Sequence, residues 1–429
     1  MLLILAGVSI SLLLDENGII KKSKDARREY GQAKANEQED LSNLSDMIDE
    51  ATAEPTPKVD VNTKAGENST INGKKGNSNN PTIPKGYIPI DTATSTWGDG
   101  SSAPSQDSVD HGLVIKDEKN NEWVWIPVDK ATLATMYEES SDEKTLCGTT
   151  GETAVKTKLY SKSITIGTDS NKKTISRTTP GTTADPYYRE PDLVIGNDSA
   201  SYDAKDTYYK TILGDTGTKE QLAQLFVDEY KAMIESVSKY GGFYIGRYEL
   251  SEAGVKKDQP TLISTNWYNL YKECKELNAS DKVETRMIWG CQWDVACNFI
   301  ANKGDKKSIT DSSSWGNYKG TSVKADDGTT EIKASGTSEK LNTGKTTFTM
   351  ANNIYDLAGN CWEWTQEAYG TFGRAGRGGC CINYGSGNPA SVRTNLGTDS
   401  NDSVRFSSHF NNKVRAYKLK CVKSKNVGL

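Results

Sequence analysis

Residues 353–365 read NIYDLAGNCWEWT, and this block leaves the backbone few choices. Gly359-Asn360 is a turn signal, because both residue types tolerate the left-handed region. The run from Cys361 to Thr365 is aromatic and strand-like, and Trp362 and Trp364 are expected to pack on a core. Asp356 and Glu363 flank the turn, and Gly359 lets backbone carbonyls turn inward. Carboxylates and carbonyls together are hard oxygen donors of the kind that suit Ca²⁺. The competing assignment is that Glu363 satisfies backbone donors of the turn and holds no ion.

The rest of the chain suits a fold of short strands and long loops. Its 429 residues exceed one small core, so one large domain with appendages, or two domains, is expected. Only 35% of the residues are apolar, which points to much loop and little helix. A net charge of −5 gives no basic face, so a nucleic-acid partner is not expected. The stretch 122–128, EWVWIPV, reads as a strand. Over 219–240 the apolar positions Leu222, Leu225, Phe226, Tyr230, Met233, Ile234 and Val237 recur at helical spacing. Gly241-Gly242 ends that helix, and a strand follows over 243–250. Further helices are expected over 267–277 and 290–300. Residues 139–218 read as a loop-rich insertion with a few weak strands, and 52–84, rich in Pro, Gly, Asn, Ser and Thr without an apolar period, as a disordered linker. None of the eight cysteines forms a CxxC pair, so they read as small buried hydrophobes and not as a zinc site.

The amino terminus is different in kind. Residues 1–14 are almost wholly apolar, yet a bilayer span needs roughly 20 residues. No basic segment precedes them and no small-residue cleavage site follows, so they do not fit a signal peptide. A charged, helix-like stretch continues to about residue 51. The segment LLILAGVSI…ENGII resembles the N-terminus of type IV prepilin-like proteins of Gram-positive bacteria, lacking the leader and the first half of the apolar helix. The expectation is a late-placed start or a fragment; the other assignment is a buried core helix. The resemblance implies a tether to membrane or pilus and a domain displayed at the cell surface.

Several ordered blocks resemble the formylglycine-generating-enzyme, or sulfatase-modifying-factor, family. Residues 243–251, FYIGRYELS, are similar to its F-x-I-G-x-Y-E-V-T strand. Arg286-Met287-Ile288 with Trp293-Asp294-Val295-Ala296 resembles its R-L-P-T-E-A-E-W-E-Y-A helix start, although Trp289 and Gly290 depart from Thr and Glu. The block at 353–365 is close to N-x-Y-D-M-x-G-N-V-W-E-W-T, Arg377-Gly378-Gly379 matches the following R-G-G, and Val414-Arg415 stands where the family has G-F-R. The resemblance implies an α+β, C-type-lectin-like fold over 85–423. It also implies a calcium site at Asp356, Gly359, Cys361 and Glu363.

The family's oxygen-dependent chemistry uses two copper-binding cysteines shortly after R-G-G. Those positions are Asn383 and Asn388; Cys380 and Cys381 lie too early, and as neighbours on an extended chain they point to opposite faces. The related iron enzymes need a histidine cluster, and this chain has two histidines, His111 and His409. No copper, iron or nucleotide cofactor is therefore expected, and the chain reads as non-catalytic. Residues 380–412 contain no Lys, Glu, Gln, Met or Trp. Codons AAC or AAT mutated at adenine cannot encode those five types. The segment also resembles the variable region of lectin-fold targets of diversity-generating retroelements, with Pro389-Ala390-Ser391 and Arg393 as framework; the alternative is an ordinary Asn/Ser/Gly-rich loop. Its candidate ligand contacts are Ile382, Asn383, Tyr384, Ser386, Asn388, Val392, Thr394, Asn395, Phe406, Ser408, His409 and Phe410. The expected function is ligand binding, to an extracellular protein or glycan. The alternatives are an oxygen-dependent enzyme and a structural pilus or secretion-system subunit.

Overall fold

A computed structural model describes residues 56–183, 188–194, 208–263, 265–277, 283–370, 373–398, 412–414 and 416–419. The chain divides into Met1–Pro55 and Thr56–Leu429. The prepilin-like segment falls in the first unit, outside the described residues.

Chain order in the second unit brings β1 (Ile88–Ile90), β2 (Val114–Lys116), β3 (Glu122–Pro127), β4 (Tyr188–Arg189), α1 (Lys219–Tyr240), β5 (Gly242–Gly246), α2 (Trp267–Glu276), β6 (Glu284–Met287), α3 (Gly290–Asn302), β7 (Trp362–Tyr369), β8 (Gly373–Arg377), β9 (Arg393–Gly397), β10 (Asn412–Val414) and β11 (Ala416–Leu419). One sheet has six strands, all antiparallel, in the order β1-β2-β3-β5-β11-β6. A second sheet runs β9-β8-β7-β10, with β4 paired to the end of β7. Strand β10 is parallel to β7, and β8 is antiparallel to both its neighbours. The class is mixed helix and sheet with short strands.

Local chemistry explains the main helices. At the start of α1, the Thr218 hydroxyl accepts from the Gln221 amide and the Gln221 side chain accepts from the Thr218 amide, a reciprocal cap. Gly241 ends α1 at φ 70°, and a Cβ there would lie 2.4 Å from the Ser78 amide nitrogen, so both the backbone angle and the space require glycine. The buried face carries Leu222, Phe226, Tyr230, Met233, Ile234 and Val237, the expected stripe; Leu225 lies at its half-buried margin. Helix α3 is buried on nearly every side. Its first amides are satisfied from far away in sequence: Gly290 and Cys291 N–H donate to the two carboxylate oxygens of Glu190, at 2.8 and 2.7 Å.

Two expectations are corrected. The strand expected over 243–250 ends at Gly246, and its continuation bends away. The linker expected over 52–84 is packed structure from Thr56 onward. Val59, Ala65, Ile71 and Ile83 are buried, and Ser69 and Ile83 exchange backbone hydrogen bonds at 2.9 and 2.7 Å. Asn72 and Asn77 side chains accept from nearby amides and take the place of a ladder. Isolated apolar pegs show no period, so a periodicity test passes over them. The insertion at 139–218 contains two hairpins, Glu138–Thr145 with Lys156–Tyr160 and Ile164–Ile166 with Lys173–Ile175, and it supplies β4.

Candidate functional site

Tyr384 is 57% exposed, and no other large apolar side chain among the described residues is classed as exposed. The backbone beneath it is fixed. Gly387 and Asn388 amides donate to the Tyr384 carbonyl at 3.1 and 2.9 Å, and the Asn383 amide donates to Cys380 at 2.9 Å. A second segment braces the turn: Ser312 N–H donates to the Gly385 carbonyl at 3.2 Å and Lys319 N–H to the Asn383 carbonyl at 2.9 Å. A Cβ on Gly385 would sit 2.5 Å from the Ser313 amide nitrogen, and one on Gly320 would come within 2.9 Å of the Tyr384 ring. An aromatic held out on an ordered turn loses little entropy when it binds.

The other candidate contacts divide. Ser386 is exposed. Asn383 is half-buried, and its Oδ1 accepts from the Cys380 amide and thiol at 3.1 and 3.0 Å. Asn388 is half-buried. Ile382 and Val392 pack against the core. Thr394 and Asn395 lie half-buried on β9, opposite Gly376 and Ala375 of β8. Phe406, Ser408, His409 and Phe410 lie outside the described residues. Small polar residues like those that dominate 380–412 contribute little to a core. Cys380, Cys381, Ala390, Ser391 and Leu396 are nonetheless buried, and β9 is a paired strand, so among the described residues of 380–398 the exposed part narrows to Tyr384, Ser386 and Gly387. Composition counts polar groups but does not say that this backbone completes a sheet.

Beneath the tail lies a buried ionic cluster that the sequence reading missed. Arg177 reaches Asp294 at 2.6 Å, Glu367 at 2.7 Å and Glu190 at 3.7 Å. Arg377 pairs with Asp294 and lies 3.6 Å from Glu367. Arg393 of β9 donates to Glu367 at 3.0 Å and to the Ser176 carbonyl at 2.6 Å, and it stacks over Tyr188 at 3.8 Å. Three arginines thus face three carboxylates. Burial raises the Glu190 carboxyl above its ordinary value despite Arg177. Burial also works against the Asp294 carboxylate, but Arg377 and Arg177 outweigh it and hold that group below its ordinary value. The cluster ties the insertion to β7, β8 and β9. A charged residue inside an aromatic strand, Glu367 after Trp362 and Trp364, was the one signal available.

The described cysteines are all buried. Burial pushes the Cys380 thiol up to about 12 and raises Cys381 as well. Cys380 Sγ faces Asn383, and Cys381 Sγ lies 3.6 Å from the Ser338 carbonyl. His111 Nδ1 is 2.8 Å from the Asp107 carbonyl. Among the described residues no three His, Cys, Asp or Glu side chains converge on a possible metal position. At the expected calcium turn, Asp356 has φ 56° and Gly359 φ 74°. Asp356 Oδ2 accepts from the Thr343 hydroxyl at 3.0 Å and the Gly344 amide at 2.8 Å, so that oxygen is already engaged. Cys361 and Glu363 are buried beside it in sequence. Asn360, at φ 60°, joins the turn to the core: its side-chain Nδ2 donates to Glu249 at 2.8 Å and its Oδ1 accepts from the Asn317 side chain at 2.9 Å.

A cleft of about 270 Å³ elsewhere is lined by Asp110, Asp129, Asn298, Phe299, Asn302 and Lys303, among others. Its polar groups largely answer one another: Gln106 and Lys303 pair with Asp110, and Asp129 caps a helix through Thr132.

No family model matches the chain, and no curated protein matches it. Among solved structures, Treponema denticola variable protein 1 superposes with a TM-score of 0.27 at 16% identity, over 42% of this chain and 85% of that one. A likeness this distant decides neither fold nor function. No helix among the described residues is long and apolar enough to cross a membrane.

Proposed function

We propose that residues 56–429 are a non-catalytic ligand-binding module of C-type-lectin-like type, whose binding face is centred on Tyr384 and Ser386. The observation that carries the proposal is Tyr384 itself: a mostly exposed aromatic on a turn fixed by five backbone hydrogen bonds. Aromatics of this kind are the usual anchors of recognition surfaces. The non-catalytic part is supported by Asn383 and Asn388 at the positions where the resembled enzymes have copper-binding cysteines. It is also supported by the protonated, buried state that a thiol with a pKa of about 12 keeps at neutral pH. The proposal includes attachment to membrane or pilus through Met1–Pro55, and display outside the cell.

Calcium enters the proposal as a structural ion at the 356–363 turn. Its donors would be Asp356 and Glu363 with the Gly359 and Cys361 carbonyls. Thermal melts in millimolar calcium against chelator test it. An unchanged melting temperature removes calcium and leaves Asp356 as a hydrogen-bonding residue of the turn.

The binding role is tested by probing a glycan array and intact cell surfaces with labelled wild-type protein and with Tyr384→Ala. The expected result is a signal that the variant loses while its melting temperature is kept. Equal signals from both proteins would refute the face. Turnover of a sulfatase-motif peptide, with copper and reductant, that depends on Cys380 or Cys381 would refute the non-catalytic assignment. The codons of residues 380–412 and a neighbouring reverse-transcriptase gene decide whether the face is diversified.

A further inference from the structure

Lys333 is a buried lysine, 2% exposed, at the end of the short strand Glu331–Lys333. Its ammonium donates to three backbone carbonyls: Tyr318 at 2.8 Å, Thr321 at 2.8 Å and Thr337 at 3.3 Å. An ammonium has three protons to donate, so the three carbonyls match its capacity. Burying a cation is expensive unless its hydrogen bonds are all made. Desolvation accordingly lowers the Lys333 pKa. Three carbonyl oxygens turned toward one point also repel one another, and the cation is what lets them converge.

The carbonyls come from two segments, and those segments brace the Tyr384 turn. Between Tyr318 and Thr321 lie Lys319, whose amide donates to the Asn383 carbonyl at 2.9 Å, and Gly320, which backs the Tyr384 ring. The other segment closes on the first: Gly336 N–H donates to the Lys319 carbonyl at 2.6 Å, and the Ser335 hydroxyl to the Gly320 carbonyl at 2.9 Å.

Resting on the assignment of Tyr384 as binding anchor, we propose that Lys333 is the positioning residue of that face. Its ammonium acts as an internal cation that gathers 318–321 and 335–337 into the platform on which the Tyr384 turn is set. The carbonyl cage is thereby a site for an alkylammonium group, filled here by the chain's own side chain.

Hydrogen exchange on the full chain, resolved by peptide, tests this without any ligand. Lys333→Met keeps an unbranched apolar chain of nearly the same length and removes the donors. The expected result is exchange faster by about tenfold or more, the loss of a charged hydrogen bond, at the Lys319, Gly387 and Asn388 amides, with α1 unchanged. Lys333→Ala should show the same loss, and added methylammonium, but not sodium, should restore protection. A merely space-filling lysine would give no such rescue. Unchanged exchange over 383–388, acceleration spread equally over α1, or absence of rescue would each overturn the proposal. Should Lys333→Met not fold, Ser335→Ala removes one exposed bond of the same platform. It is expected to speed exchange at Lys319 and Gly387, and no change there would refute the platform. Tyr384→Ala that keeps ligand capture, with the exchange result intact, would remove the binding role and leave the platform standing.

Discussion

Replacing Glu367 by Gln changes one atom type and one charge at the centre of the buried cluster. Glu367 faces Arg177 at 2.7 Å, Arg393 at 3.0 Å and Arg377 at 3.6 Å, and all four side chains are 10% exposed or less. The substitution leaves three guanidinium groups against two carboxylates, Glu190 and Asp294, away from water. Breaking a buried pair by removing one partner costs roughly 3–5 kcal/mol, because the remaining charge stays desolvated. Against a total stability on the order of 5–15 kcal/mol, that is a large share. At about 2 °C per kcal/mol for a large domain, the melting temperature should fall by about 6–10 °C. Glu276→Gln is the control: its pair with Lys272 spans 3.8 Å, with the two side chains 54% and 60% exposed. It should cost no more than about 0.5 kcal/mol. Thermal and urea melts of both variants decide the matter. A Glu367→Gln loss no larger than that of Glu276→Gln would show that the cluster does not hold the insertion to β7–β9.

Asp294→Asn should destabilise most at neutral pH. The Asp294 carboxyl is held below its ordinary value when folded, so its contribution is present above the unfolded value near 3.8 and is lost as pH falls through the folded value; urea melts at pH 7 and pH 3 should show the gap to wild type narrowing, and a widening gap would reverse the assigned shift. Ile83→Ala, at a fully buried site, should cost about 2–5 kcal/mol. Removing residues 1–84 should likewise destabilise the domain where removing 1–55 does not, and equal stability of the two truncations would restore the linker. Tyr384→Ala should change stability by no more than about 0.5 kcal/mol, whereas Val392→Ala, which empties a contact with the core, should cost on the order of 1 kcal/mol; equal losses would mean that the Tyr384 turn belongs to the core.

Some of this molecule was legible from residues alone. Helix α1 was, because its stripe and its terminating glycine are both local signals within one stretch of chain. So was the 353–365 turn, whose left-handed positions fall on Asn353, Asp356, Gly359 and Asn360. The packed segment at 56–84 was not, because its buried side chains are isolated in sequence and its Ser78 and Thr82 carbonyls are met by Trp125 and Tyr244 from elsewhere in the chain. Nor was the support for the candidate face. Tyr384 could be named from composition, but its isolation at the surface could not, since Ile382 and Val392 beside it turn inward. Lys333 and the Arg177–Glu367–Asp294 cluster are ordinary charged residues in sequence, separated by 117 positions or more across the Arg177 contacts to Asp294 and Glu367. A charge becomes informative only when the fold has taken its water away, and which charges lose their water is decided by tertiary packing.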